Sequence, residues 1–205
     1  VLANFPVVVA WDGRQVRLLD QTRLPETEAY LDISRLEELC SAIQRLAVRG
    51  APAIGCAAGY GVVLALREAL AEGAGACREI FERKCEQLAA ARPTAVNLRW
   101  AVERCLAQYR KLLHQGAQLE QVRAGLETEA LLIHEEDRRM CEAIGRHGAT
   151  LLPRPQATLL THCNAGALAT GGCGTALAPI YAAHAEGVRL KVFADETRPL
   201  LQGAR

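Results

Sequence analysis

Apolar residues recur along this chain in two ways: every three or four positions over long stretches, and in short continuous or alternating runs near its two ends. Val7 to Trp11 is apolar, Asp12-Gly13 suits a two-residue primed turn, and Gln15 to Leu19 returns, which predicts a β-hairpin. Ser34 with Glu37 forms a capping box, and Leu36, Leu39, Ile43 and Leu46 follow at helical spacing until Arg49-Gly50-Ala51-Pro52 ends the pattern. A helix of small residues is expected from about Ile54 to Ala71; its Gly55, Gly59 and Gly61 imply close packing against a neighbour or a ligand. Gly73 and Gly75 mark a loop, Cys77 to Ala90 is helical, and Arg92-Pro93-Thr94 breaks the chain again. Leu98, Val102, Cys105, Tyr109 and Leu112 make one further helical stripe. Leu119, Val122, Leu126, Ile133, Met140 and Ile144 make another, ending near Gly145 and Gly148. Asp137 drifts onto that stripe without an explanation in the pattern.

The character changes after Leu152-Pro153-Arg154-Pro155. Ala157 to Thr161 reads as a buried strand, a Gly-rich turn and a helix ending near Glu186-Gly187 follow, and Leu190 to Ala194 reads as a second buried strand. This is a βαβ unit with parallel strands and a right-handed crossover. In open α/β sheets ligands bind beyond the carboxyl ends of the strands. Those ends are His162-Cys163-Asn164 and Asp195-Glu196-Thr197-Arg198, so chemistry is expected there.

Composition narrows the function classes. Half of the 205 residues are apolar, enough for a substantial core. The 24 basic and 23 acidic residues balance and the few aromatics are scattered, which argues against a nucleic-acid surface. No uninterrupted apolar run approaches the roughly 20 residues of a membrane span, so no membrane partner is expected. The N-terminal stretch lacks the positive flank and small-residue cleavage site of a secretory signal. The eight cysteines include no C-x-x-C pair, no zinc spacing occurs, and several fall on apolar helical positions. A reduced, cytoplasmic chain without a metal is the expectation.

Four segments hold candidate chemistry. After the first strand of the βαβ unit, Cys163, Asn164 and Gly166 open a turn rich in glycine and alanine; the backbone there can approach a ligand, and the thiol stands at the strand tip. Such turns serve packing as readily as binding, and spacing does not choose between the two. Arg49, Gly50 and Ala51 place a guanidinium and helix-start amides together, an arrangement suited to phosphate. Arg92 before Pro93 repeats it, although either arginine alone is an ordinary helix stop. Arg198 and Gln202, past the second strand, could hold hydroxyls or phosphate. His114, His134, His147 and His184 have no partner at ligand spacing and read as surface or capping residues, and Glu135 to Arg139 as a solvated helix face.

Read together, five strings in order resemble the methylthioribose-1-phosphate isomerase family: Leu18 to Pro25, Arg49 to Gly55, Ala91 to Leu98, Leu160 to Thr170, and Asp195 to Arg205. The resemblance implies an α/β fold: a mostly helical N-terminal domain with a small β element over residues 1–152, then the start of a Rossmann-like doubly wound domain over 153–205, usually in a homodimer. It implies that S-methyl-5-thioribose 1-phosphate, a small phosphorylated sugar, is converted to S-methyl-5-thioribulose 1-phosphate in methionine salvage, without a cofactor. Carried over, Cys163 is the catalytic residue, and Arg49, Gly50, Ala51, Arg92 and Gln202 bind substrate; Asn164, Gly166 and Arg198 are possible additions from position alone. Hydride and enediol-type proton transfer both remain open. The family's catalytic aspartate and an Asn-Lys pair fall after Gln202 and beyond Arg205, so the resemblance implies a chain that stops inside its second domain and is inactive alone. Ribose-1,5-bisphosphate isomerase shares the scaffold, and the superfamily also contains non-catalytic regulatory subunits of a translation-initiation exchange factor.

Overall fold

The computed structural model describes residues 5–73 and 77–204; the expected loop residue Gly75 and the terminal Arg205 lie outside them. Strands β1 (Val9–Trp11), β2 (Val16–Leu19) and β3 (Tyr30–Ile33) form an antiparallel sheet in that order. The expected hairpin exists, but its closing pair is Trp11 with Val16, leaving four residues in the connection rather than two. Asp12 explains the longer form: its Oδ1 accepts the amides of Arg14 and Gln15, both at 2.8 Å, an Asx arrangement that competes with a tight primed turn. The third strand, β3, was not expected.

Five helices follow: α1 (Leu36–Gln44), α2 (Ala51–Ala71), α3 (Cys77–Ala90), α4 (Val96–His114) and α5 (Leu119–Ala149). The Ser34–Glu37 capping box does not form. Arg35 occupies the cap position of α1 without a side-chain bond, and Glu68 of α2 instead accepts the Leu36 amide at 2.7 Å. Lys84 of α3 binds the other oxygen of Glu68 at 2.7 Å, so one carboxylate ties three helices together.

Helix α2 is the axis of the fold, buried along most of its length and packed against α1, α3, α4 and α5. By length and composition it could cross a membrane, although Arg67 and Glu68 interrupt its apolar run; most of it is instead buried inside the bundle. Its small residues explain the close packing. A Cβ on Gly61 would stand 2.7 Å from a methyl of Leu88 and 2.8 Å from one of Leu39. Helix α2 also begins at Ala51, earlier than the periodicity indicated, because Pro52 fits a first helical turn where no amide is needed.

Beyond α5 come β4 (Gln156–His162), α6 (Ala178–Ala185) and β5 (Arg189–Asp195), with β4 and β5 parallel and in register from Gln156 opposite Arg189 to His162 opposite Asp195. The βαβ unit is therefore present, but its strands are not buried as expected. Ala157 is the only buried residue in β4, β5 has none, and Leu160, Val192 and Phe193 are exposed. Among the described residues the covering is small: Ala149, Ala183 and Val188 form a minor cluster under the sheet, while the main core surrounds α2.

Candidate active site at the carboxyl ends of β4 and β5

Cys163 follows the last residue of β4 and turns out of the strand at φ +62°, a conformation uncommon for a side chain with a Cβ. Its amide donates to the Asp195 carbonyl at 3.0 Å, which fixes it beside the end of β5. The thiol is half-buried. Asn164 Oδ1 accepts the Gly166 amide at 3.0 Å, bending the chain back at once. Gly166 then pairs with Gly174, and buried Thr170 accepts the Gly172 and Gly174 amides at 3.2 and 3.0 Å. The turn from Cys163 to Gly174 is thus held by its own hydrogen bonds.

Three contacts press this turn onto the helical part. Gln21, fully buried, donates its side-chain amide to the Leu168 carbonyl at 2.7 Å. Gly50, at φ +82°, lies so close to Ala169 that a Cβ would stand 2.2 Å from the Ala169 oxygen. Gly171 is gripped from both sides: its amide donates to Asp137 Oδ2 at 2.7 Å, and its carbonyl faces His134 Nε2 at 3.0 Å. A carbonyl can only accept, so Nε2 carries a proton, and Nδ1 shares a hydrogen bond of 2.8 Å with the Tyr60 hydroxyl. Tyr60 is stacked on Trp11 with ring centroids 5.5 Å apart, and Trp11 donates to Glu127 at 2.7 Å.

These residues correct two readings. His134 is neither a surface nor a capping residue; it is a support of the Gly-rich turn. Asp137 is not part of a solvated face, because α5 buries Val122, Leu126, Ala130, Ile133, Asp137, Cys141 and Gly145 in one stripe, while Met140, expected there, is exposed. The Gly171 amide accounts for a carboxylate in that stripe. Burial pushes the Asp137 carboxyl up from its ordinary range, and the Gly171 amide and His134 pull it back in part. Burial, with Asp137 and Cys141 nearby, likewise raises the neighbouring Cys56 thiol.

The other expected residues stand at the ends of elements, and of these Gly50 is the one whose contact with the turn is described above. Arg49 is buried, Gly50 caps α2 without a side-chain bond, and Ala51 is exposed at its first turn. Arg92 is half-buried just before α4, whose start lies against α2: a Cβ on Gly55 would be 3.2 Å from that of Asn97. Gln202 is half-buried in a short 3-10 turn, its amide donating to Thr197 Oγ1 at 3.1 Å, while the Gly203 amide donates to Glu196 at 2.7 Å. Backbone amides, first that of Thr197, hold the Glu196 carboxyl below its ordinary value. Arg198 is exposed and donates to the adjacent Thr197 carbonyl at 3.2 Å.

Several hollows lie among the described residues, and two of them border the turn. A cleft of about 840 Å³ lies between the β1 segment and α5, lined by Trp11, Tyr60, His134, Arg138 and the Thr170–Cys173 backbone. One of about 340 Å³ opens at the starts of α2 and α4, lined by Pro52, Asn97, Trp100, Asp137 and Met140. A third, of about 310 Å³, includes Asn164, Ala167 and Leu168. Among the described residues no group of three or more His, Cys, Asp or Glu side chains is arranged to hold a metal ion.

The chain is similar to proteins named methylthioribose-1-phosphate isomerase. That of Trichlorobacter lovleyi is 50% identical over 197 residues and that of Geobacter sulfurreducens 49%, each match covering 96% of this chain and 56% of the relative. The chain therefore spans little more than half the length of the curated relatives it matches. Among solved structures, 5-methylthioribose 1-phosphate isomerase from Pyrococcus horikoshii superposes with a TM-score of 0.88 at 37% identity, covering 100% of this chain and 56% of that one. The translation initiation factor eIF-2B subunit delta from A. fulgidus superposes at 0.83 with 40% identity, covering 98% and 57%. The model of the Initiation factor 2 subunit family matches residues 47–205. The chain, mostly helical with small sheets, belongs to the Initiation factor 2 subunit family.

Proposed function

We propose that this chain supplies the helical domain, residues 1–152, and the first βαβ unit, from residue 153, of a Rossmann-like domain in a cytoplasmic, homodimeric isomerase that converts S-methyl-5-thioribose 1-phosphate to S-methyl-5-thioribulose 1-phosphate. The observation that carries this reading is the contact of Gly50 with Ala169, which sets the Arg49–Ala51 helix start against the turn that begins at Cys163. The names of the relatives at about half identity point to the same chemistry.

The reaction demands such a site. Phosphate on the anomeric carbon prevents spontaneous opening of the ring to a free aldehyde. The bond from C1 to the ring oxygen must break while the phosphate stays, the hydrogen on C2 moves to C1, the 2-hydroxyl loses its proton, and the ring oxygen gains one. Arg49, Arg92 and the amides at the start of α2 hold the phosphate. Gln202, with Asn164 beside the cysteine, orients hydroxyls, and Cys163 stabilises the charge that develops at C1 and C2 as hydrogen moves.

Incubating the polypeptide that carries this chain together with the aspartate and Asn-Lys pair implied by the resemblance, with S-methyl-5-thioribose 1-phosphate and separately with ribose 1,5-bisphosphate, tests the reading by NMR detection of the ketose. Faster turnover of the methylthio sugar is expected. The resemblance to subunit delta of eIF-2B favours a second, non-catalytic reading. Failure of the folded polypeptide to convert either sugar would decide for it.

A further inference from the structure

The Leu18–Pro25 string has no role in the chemistry above, yet it is held against the turn after Cys163. Asp20 Oδ1 accepts the Thr22 amide at 3.1 Å and its hydroxyl at 2.6 Å, and Asp20 Oδ2 binds Arg45 at 3.1 Å. This fixes the 3-10 turn Gln21–Arg23. The Gln21 amide donates to the Ala47 carbonyl at 2.9 Å and its side chain to that of Leu168 at 2.7 Å. The result is a wall: Leu19, Leu24 and Pro25 face Ala167, Leu168 and Tyr181 across a pocket of about 310 Å³, which also includes Asn164, the residue after Cys163.

We infer that this pocket receives the 5-methylthio end of the sugar and excludes a 5-phosphate. The inference rests on the isomerase reading, and it assigns Leu24 and Glu28 as specificity-determining residues. The lining is largely apolar, and its volume is at the small end of ligand pockets, which suits one short thioether. Among the described residues Glu28 is the only charged one of the lining, and its Oε1 accepts the Tyr30 hydroxyl at 2.8 Å. A second phosphate would meet that carboxylate with no lysine or arginine among the described residues of the wall to offset it, whereas a neutral methylthio group meets no such opposition. The placement is also right for a substrate with two unlike ends. The Arg49–Ala51 segment touches the turn at Ala169, and the pocket touches it at Asn164, Ala167 and Leu168.

The test compares kcat and KM of the polypeptide carrying this chain for S-methyl-5-thioribose 1-phosphate and for ribose 1-phosphate, which lacks the thioether. Leu24→Trp fills the pocket from a half-buried position. It should raise KM for the methylthio sugar about 10–100-fold, the scale on which an apolar pocket discriminates small groups, and leave constants for ribose 1-phosphate within about twofold. Glu28→Lys should raise kcat/KM for ribose 1,5-bisphosphate about tenfold or more while thermal midpoints stay at the unmutated value. Equal effects of Leu24→Trp on both sugars, or none, would overturn the inference, as would a silent Glu28→Lys. If the unmutated polypeptide converts neither sugar, the isomerase reading falls separately, and saturation-transfer NMR with S-methyl-5-thioribose decides the pocket. A methyl signal abolished by Leu24→Trp supports it, and an absent or unchanged signal overturns it.

Discussion

Gly50 and Ala169 touch backbone to backbone: a Cβ on Gly50 would lie 2.2 Å from the Ala169 oxygen and 2.5 Å from its Cα. Residues separated by most of the chain therefore set the distance between the two halves of the proposed site. Gly50 also takes φ +82°, where a side chain is strained whatever the space.

Gly50→Ala should accordingly lower the thermal midpoint and weaken substrate binding together. The backbone conformation alone costs about 1–3 kcal/mol, and a chain of this size loses about 2–4 °C per kcal/mol. Differential scanning calorimetry of the variant reads the first effect and KM the second. A midpoint within one degree of the original would mean that the turn does not lie where the structure places it.

Native thiol labelling should find Cys163 first. Six of the eight cysteines are buried; only Cys77 and Cys163 are half-buried. Burial pushes Cys40 up to about 11 and Cys105 to about 12, and it raises Cys77 as well. The thiolate is the reacting form, so these groups alkylate slowly. Peptide mass spectrometry after brief iodoacetamide treatment should show Cys163 modified well before Cys77, with the buried six modified only in denaturant. Early labelling of Cys141 or Cys173 would contradict the packing of the Gly-rich turn on α5.

Mutation of the proposed site should separate chemistry from binding. Cys163→Ser should lower kcat about 10²–10³-fold with little change in KM, as expected where a group acts mainly in the transition state. Arg92→Ala should instead raise KM, by about 10–100-fold, the range for losing a hydrogen bond to a charged partner. Steady-state kinetics of both variants decide it; near-original kcat for Cys163→Ser would remove the cysteine from the mechanism.

What the sequence made legible follows from range. Helical stripes are local, so α3, α4 and most of α5 could be read from spacing, and Pro and Gly marked their ends. The capping of α1 could not be read, because Glu68 from another helix took the place of Glu37. Likewise β3 has only four residues and owes its state to pairing with β2. Cys163, Gly50 and Gln202 were nominated by position at element ends. His134 and Asp137 were missed because their partner is a backbone group 34–37 residues away. The one local sign was Asp137 falling on an apolar stripe, and a carboxylate in such a place needs a donor.

Asp137 gives a pH dependence opposite in sign to that of most aspartates. Burial raises its carboxyl in the folded chain, so the folded state holds this proton longer than the unfolded state does. Stability contributed by this group is therefore highest below its unfolded value and declines as pH rises from about 4 through the raised folded value. In Asp137→Asn the side-chain carbonyl oxygen could still accept the Gly171 amide, without a charge to ionise, so this substitution should remove that decline. Carboxylates such as Asp20 and Glu196, held low by their partners, slope the other way in both proteins and cancel in the difference. Asp137→Leu serves as the contrast. It leaves the Gly171 amide without its acceptor and should cost about 1–3 kcal/mol at every pH. Urea unfolding of the three proteins between pH 4 and 8 makes the comparison. If the curves for the original and Asp137→Asn run parallel across that range, Asp137 is not the buried, ionising support of Gly171 described above.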